Sequence, residues 1–139
     1  MASIIPQAAA IPFRTSHDTL EILLIRWIEE KDQWGVPKGL IDPGNSARET
    51  AEIECMEEAG ISGDLLEPVV GEFTYSKYHG TCSVQVFALR VRTEHAHYEE
   101  AGFRERKWFQ VDDAIEHVAR KPLKAIIRNV AQILSSRPG

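Results

Sequence analysis

The chain has 139 residues, 43% of them hydrophobic and 27% charged. That size suits a single domain over residues 1–139, and that balance excludes a wholly disordered or collagen-like chain. Sixteen Lys and Arg stand against 21 Asp and Glu, a net charge of −5, which argues against a general nucleic-acid binder but leaves an anionic substrate open, because a bound metal and a few local cations outweigh global charge.

The first residues, MASIIPQAAAIPFR, place no basic segment before their apolar stretch and do not read as a secretory signal. No apolar run reaches the ~18–20 residues that span a bilayer, so no membrane role is expected. Leu20 to Ile28 is apolar on both alternating sets, which predicts a strand covered on both faces. Trp34 to Asn45 holds three glycines and two prolines and predicts a loop with a fixed path. A helix is expected from Ser46 to Ala59. Ser46 and Glu49 have capping-box spacing, and Gly60 is a left-handed stop. Small residues recur along it at Ala47, Ala51, Cys55 and Ala59. Val69 to Tyr78 and Cys82 to Arg92 alternate and predict two strands joined near His79-Gly80. Glu94 to Gly102 reads as a loop, and Lys107 to Gln110 as a short strand. Asp112 is expected to cap a short helix through Val118. Pro122 suits the first turn of a last helix, striped by Leu123, Ile126, Ile127, Val130, Ile133 and Leu134. Strands and helices mix without strict alternation, so the expected class is α+β, a mixed sheet sandwiched between helices.

Cys55 and Cys82 are the two cysteines. They cannot form a disulfide framework, which favours a reducing, cytoplasmic compartment. Cys82 reads as a small buried hydrophobe. His79, His95 and His97 have no zinc-like ligand spacing around them.

Glu54, Glu57 and Glu58 share one arc of the helix, and like charges so spaced repel. Solvent and salt can offset that repulsion, as on any solvated face. So can a hard divalent cation such as Mg²⁺, which takes oxygen ligands and keeps several waters.

The run GLIDPGNSARETAEIECMEEAGI, Gly39 to Ile61, resembles the Nudix box: Gly, five residues, Glu, seven residues, Arg-Glu, an aliphatic, any residue, Glu-Glu, any residue, Gly, an aliphatic. Gly39, Glu54, Glu57, Glu58, Gly60 and Ile61 match, and Cys55 is an apolar substitute. Asn45 stands where the box has its first glutamate, and Ile53 where it has the arginine that orients neighbouring carboxylates. The Trp34–Gly39 approach, the strands from Val69 to Val91 and the segment RKWFQVDDAI extend the resemblance over essentially the whole chain. It implies the Nudix fold and hydrolysis of a diphosphate linkage. Glu54, Glu57 and Glu58 would be catalytic and metal-binding, with Mg²⁺ as cofactor and Mn²⁺ as a substitute. A water activated by metal and base would attack phosphorus, the base being Glu54 or a loop acid, Glu99 or Glu100.

Within the family the chain is most similar to the diphosphoinositol polyphosphate and diadenosine polyphosphate hydrolases, through Glu57 to Phe73, Tyr78 to Val91 and Arg106-Lys107-Trp108-Phe109. The partner implied is a phosphate-rich small molecule, a homodimer being compatible. Candidate phosphate ligands are Arg14, Arg26, Lys38, Lys77, Arg104, Arg106 and Lys107, with Lys38-Gly39 foremost because it leads into the helix. About half of these cations are expected to be ordinary exposed charges. Phe73, Tyr75 and Tyr78 either stack an adenine or supply core. The alternative to an enzyme is a catalytically impaired Nudix-fold ligand-binding module.

Overall fold

The central strand of the sheet is one the sequence hides. In the computed structural model, which describes residues 3–135, β1 runs from Ser3 to Ser16. It contains Pro6, Pro12 and three alanines, residues poor in strand propensity. The prolines are tolerated because of where their missing N–H groups point. Ala10 donates its N–H to the Pro37 carbonyl and Pro6 accepts from the Ile41 N–H. The even-numbered positions of β1 therefore face away from the long parallel ladder, and no bond of that ladder is lost at either ring.

That ladder joins β1 in parallel to β5 (Gly80–Glu94). On its other side β1 pairs antiparallel with β2 (Thr19–Trp27) and with β3 (Lys38–Leu40). β4 (Ile61–Lys77) pairs antiparallel with β5, and β6 (Arg104–Gln110) with β2. The sheet order is β4-β5-β1-β2-β6, with β3 beside β1. Tyr78 and His79 form the β4–β5 turn at φ 56° and 59°, the two positive angles that a two-residue hairpin turn demands.

Both faces of the sheet are buried. Ala9, Ile11, Phe13, Ile22, Leu24, Val84 and Val86 form one core with α2 (Val111–His117) and α3 (Lys121–Ser135). Ala8, Ala10, Leu23, Ile25, Phe87 and Leu89 form the other, against α1 (Ala47–Glu54) and the π turn that follows it. The fold is the expected mixed sheet between helices. In the expected strand Leu20 to Ile28, Ile22 to Ile25 are covered on both faces while Trp27 and Ile28 are exposed, and α3 buries Leu123, Ile126, Ile127 and Val130.

Local expectations differ in several places. β4 begins at Ile61 rather than Val69, since Gly63 and Gly71 flank irregularities in its pairing. β6 begins at Arg104 rather than Lys107. Gln110, not Asp112, is the extended residue before α2, and no side chain caps that helix. The loop from Trp34 to Asn45 contains β3. Among the described residues no helix is long and apolar enough to cross a membrane.

Candidate functional site

The helix that carries the glutamates is fastened at both ends. Ser46 accepts the Glu49 N–H at 3.0 Å, and Glu49 accepts the Ser46 N–H at 2.9 Å, the reciprocal capping box. After Glu54 the helix widens into a π turn, Cys55–Ala59. Gly60 ends it at φ 63°, giving its N–H to the Cys55 and Met56 carbonyls. A Cβ there would also lie 2.2 Å from the Tyr98 ring. The carbonyls of Ala59 and Gly60 accept Arg106 Nη1 at 2.9 and 3.2 Å, and that of Gly60 also accepts the His95 N–H at 2.7 Å. Ala51, Cys55 and Ala59 are fully buried, so the helix lies flat on the sheet, with Glu54 and Glu58 against β3.

β3 meets two of them with its backbone. The Lys38 N–H donates to Glu58 Oε1 at 3.0 Å. At Gly39 a Cβ would fall 2.1 Å from Glu54 Oε1, so only glycine admits that carboxyl. The carboxyls of Glu54 and Glu58 line the same cleft. Burial, followed by the charges of Glu58 and Glu57, pushes the Glu54 carboxyl up to about 8. Burial also raises Glu58, against the opposing pull of Arg104 and the Lys38 N–H. Glu57 is more exposed and is raised by burial and then by Glu99 and Glu100. The loop holding those two acids is tied to the π turn, the Glu100 N–H donating to the Glu57 carbonyl at 3.0 Å.

Glu54 and Glu58 line a cleft of about 390 Å³ together with Lys38, Gly39, Lys77, Tyr78, Trp27 and Arg104. A second cavity of about 330 Å³ shares Trp27, Val36, Lys38, Lys77 and Arg104 with it and adds Trp34 and Arg120. Lys38 Nζ donates to the Tyr75 hydroxyl at 3.2 Å, and that hydroxyl donates to Gln7 at 2.7 Å. Arg120 lies 4.0 Å over the Tyr75 ring. Burial, then the charges of Arg120 and Lys77, lower the Lys38 pKa. Such a pocket of crowded cations has an unmet demand for anionic charge. A larger and more open groove of about 700 Å³ lies between α2 and α3. It holds none of these glutamates or cations.

The expected site residues divide accordingly. Glu54, Glu58, Lys38, Gly39 and Lys77 come together in the cleft. Glu57 stands on the adjoining turn. Arg14 is held by Glu21 and Glu94 and lies over Trp108. Arg26 pairs with Glu105 and donates to the Trp27 and Ile28 carbonyls. Arg106 is committed to the end of the π turn, and Lys107 lies over Phe109. Phe73 is core and Tyr75 is half-buried beside it, whereas Tyr78 is exposed at the cleft. Asn45 is exposed in the turn that its N–H closes onto Asp42. Ile53 is 42% exposed, so an arginine there would not be a buried charge.

Three cleft residues were not legible beforehand. Gln7 lies on the hidden strand. Trp27 ends β2 and is exposed, out of step with the burial before it. Arg120 lies between the two last helices and carries no periodic signal.

Among the described residues no three Asp, Glu, His or Cys side chains already converge as a metal-binding group. His95 instead faces the Ser62 hydroxyl at 3.0 Å. The donor set nevertheless fits a hard cation. Burial raises both carboxyls, and the charge of Glu58 raises Glu54 further; a divalent charge relieves that repulsion, and Mg²⁺ completes its shell with water and substrate phosphate.

A model of the NUDIX domain matches residues 5–132. Rat diphosphoinositol polyphosphate phosphohydrolase 2 is 33% identical over 123 residues, which cover 86% of this chain and 66% of that protein. Mouse bis(5'-nucleosyl)-tetraphosphatase [asymmetrical] is 26% identical over 135 residues, 90% of this chain and 88% of that one. The chain spans 39% of the length of one curated relative it matches and 88% of another. The crystal structure of a C. elegans Ap4A hydrolase binary complex superposes with a TM-score of 0.76 at 23% identity, covering 96% of this chain and 99% of that one.

Proposed function

Because the chain belongs to the NUDIX family and is thereby a pyrophosphohydrolase, we propose that it cleaves a diphosphate linkage in a phosphate-rich small molecule, with Mg²⁺ as cofactor and Mn²⁺ as a substitute. A diphosphoinositol polyphosphate, a dinucleoside polyphosphate or another nucleoside diphosphate derivative fits this description. The observation that carries the reading is the facing of Glu54 and Glu58 by Lys38 and Lys77 across one cleft that continues to Arg120.

Glu54, Glu57 and Glu58 would hold the ion, which when bound supplies Lewis acidity and offsets charge on the diphosphate oxygens. Lys38, Lys77 and Arg120 bind and align the phosphates. Of the acids that could take a proton from an attacking water, Glu54 faces the cleft, Glu99 is exposed, and Glu100 already accepts from Arg104 at 2.5 Å. Glu54 is the favoured base. The buried, unpaired Cys55 and Cys82 support a reducing compartment such as the cytoplasm.

The test is a panel of diphosphoinositol polyphosphates, dinucleoside polyphosphates and nucleoside diphosphate derivatives, with Mg²⁺ or with chelator. Wild type is expected to release phosphate or mononucleotide only with metal. Glu58→Gln, which keeps an acceptor for the Lys38 N–H and removes the charge, is expected to lose on the order of 10²-fold or more, in the range that removal of an electrostatic stabiliser costs. Wild type indistinguishable from Glu58→Gln on every substrate would leave a ligand-binding module.

A further inference from the structure

We propose that Arg104 is the positioning residue for Glu58 and supplies, from β6, the orienting cation that position 53 of the helix lacks. Glu58 is 8% exposed. One of its oxygens is fixed by the Lys38 N–H, and the other faces Arg104 Nη2 at 3.5 Å. Among the described residues Arg104 is the one cation in ion-pair contact with Glu54, Glu57 or Glu58. Lys38 Nζ is turned to Tyr75 and Arg106 to the Ala59 and Gly60 carbonyls.

Arg104 is itself held from three sides. Its Nε donates to Glu100 at 2.5 Å, its guanidinium lies 3.8 Å over the Trp27 ring, and its backbone N–H donates to the Glu100 carbonyl at 3.0 Å. Its side chain is 15% exposed. A guanidinium so fixed has little freedom left to lose when it holds a carboxylate. Ile53, by contrast, is exposed and apolar, and gives the glutamates nothing. The orienting charge has moved from the helix to the neighbouring strand.

The inference rests on the proposed metal role of Glu58, and its test separates the two. Mn²⁺ binding is measured by electron paramagnetic resonance on the protein alone, and kcat and KM on the best panel substrate. The proteins are wild type, Arg104→Gln, Arg104→Lys, Ile53→Arg and the double variant Ile53→Arg/Arg104→Gln. Loss of a residue that orients a metal ligand typically costs on the order of 10–100-fold in affinity or rate. Arg104→Gln is expected to weaken Mn²⁺ and lower kcat on that scale, with KM near wild type. Arg104→Lys, which keeps the charge without the fork, is expected between the two. Ile53→Arg alone is expected near wild type, and the double variant to recover most of what Arg104→Gln lost.

A rise in KM with kcat and Mn²⁺ affinity unchanged would make Arg104 a substrate contact and overturn the proposal. A lowered melting temperature alone, or no recovery in the double variant, would also overturn it. If wild type turns over no substrate while Mn²⁺ affinity still follows Arg104 and its rescue, the hydrolase reading fails and this proposal stands.

Discussion

Glu54 is the most strained ionisable group of the cleft, and the strain has a sign. Its carboxyl is raised from 4.5 to about 8, so between those values the folded chain binds a proton that the unfolded chain does not. The stability this contributes is fully present below about 4.5 and is lost as pH rises through about 8. Glu57 and Glu58 are shifted in the same direction. In chelator, the melting temperature of wild type is expected to fall across that window. Glu54→Gln, neutral throughout, is expected to flatten the profile, and Mg²⁺ is expected to raise the melting temperature of wild type more than that of the variant. Scanning calorimetry over the window checks all three outcomes. Gly39 is the other residue on which the cleft turns. Gly39→Ala would place a Cβ 2.1 Å from Glu54 Oε1, and a carboxyl end yields more readily than backbone. The expected result is a rate lower by on the order of 10²-fold, the scale of a misplacement near 1 Å, with a urea midpoint close to wild type. A collapsed midpoint would show that the strand moves instead of the carboxyl.

At the scale of elements, the glutamate helix shows both what local sequence specifies and where that stops. Its start was legible because the capping box is closed within four residues, Ser46 to Glu49. Its stop was legible because Gly60 has the one backbone freedom that the ending needs. The π turn between them was not, because what holds it is distant in sequence: Arg106 on the Ala59 and Gly60 carbonyls, His95 on the Gly60 carbonyl, and Tyr98 against Gly60. The same distance misled the reading of the cations. Arg14, Arg26 and Arg106 look like Lys38 and Lys77 in sequence, yet Glu21, Glu94 and Trp108 hold Arg14, Glu105 holds Arg26, and the end of the π turn holds Arg106, all brought in by the fold. Arg106→Met is therefore expected to cost about 1.5–3 kcal/mol of unfolding free energy, the worth of hydrogen bonds from a charged donor, while leaving KM near wild type. Urea titration and steady-state kinetics read the two effects, and a raised KM at unchanged stability would return Arg106 to the substrate.

Across the whole molecule, the sandwich was legible where alternation or a helical stripe marked a buried face, as in β2, β5 and α3. β1 was not. Its alanines and prolines carry no strand signal, and their place is set by partners on both sides of the sheet. That strand has a further consequence in time. Ser3 lies opposite Gly80 and Phe13 opposite Arg90, so β1 pairs with a segment made much later than itself. Until β5 emerges, Ala8 to Ile11 have no parallel ladder to join, and pairing across so long a separation is slow to close. Synthesis must therefore pass Arg90 before the sheet can complete its middle, and an apolar segment left waiting that long is the kind that binds a chaperone or another nascent chain.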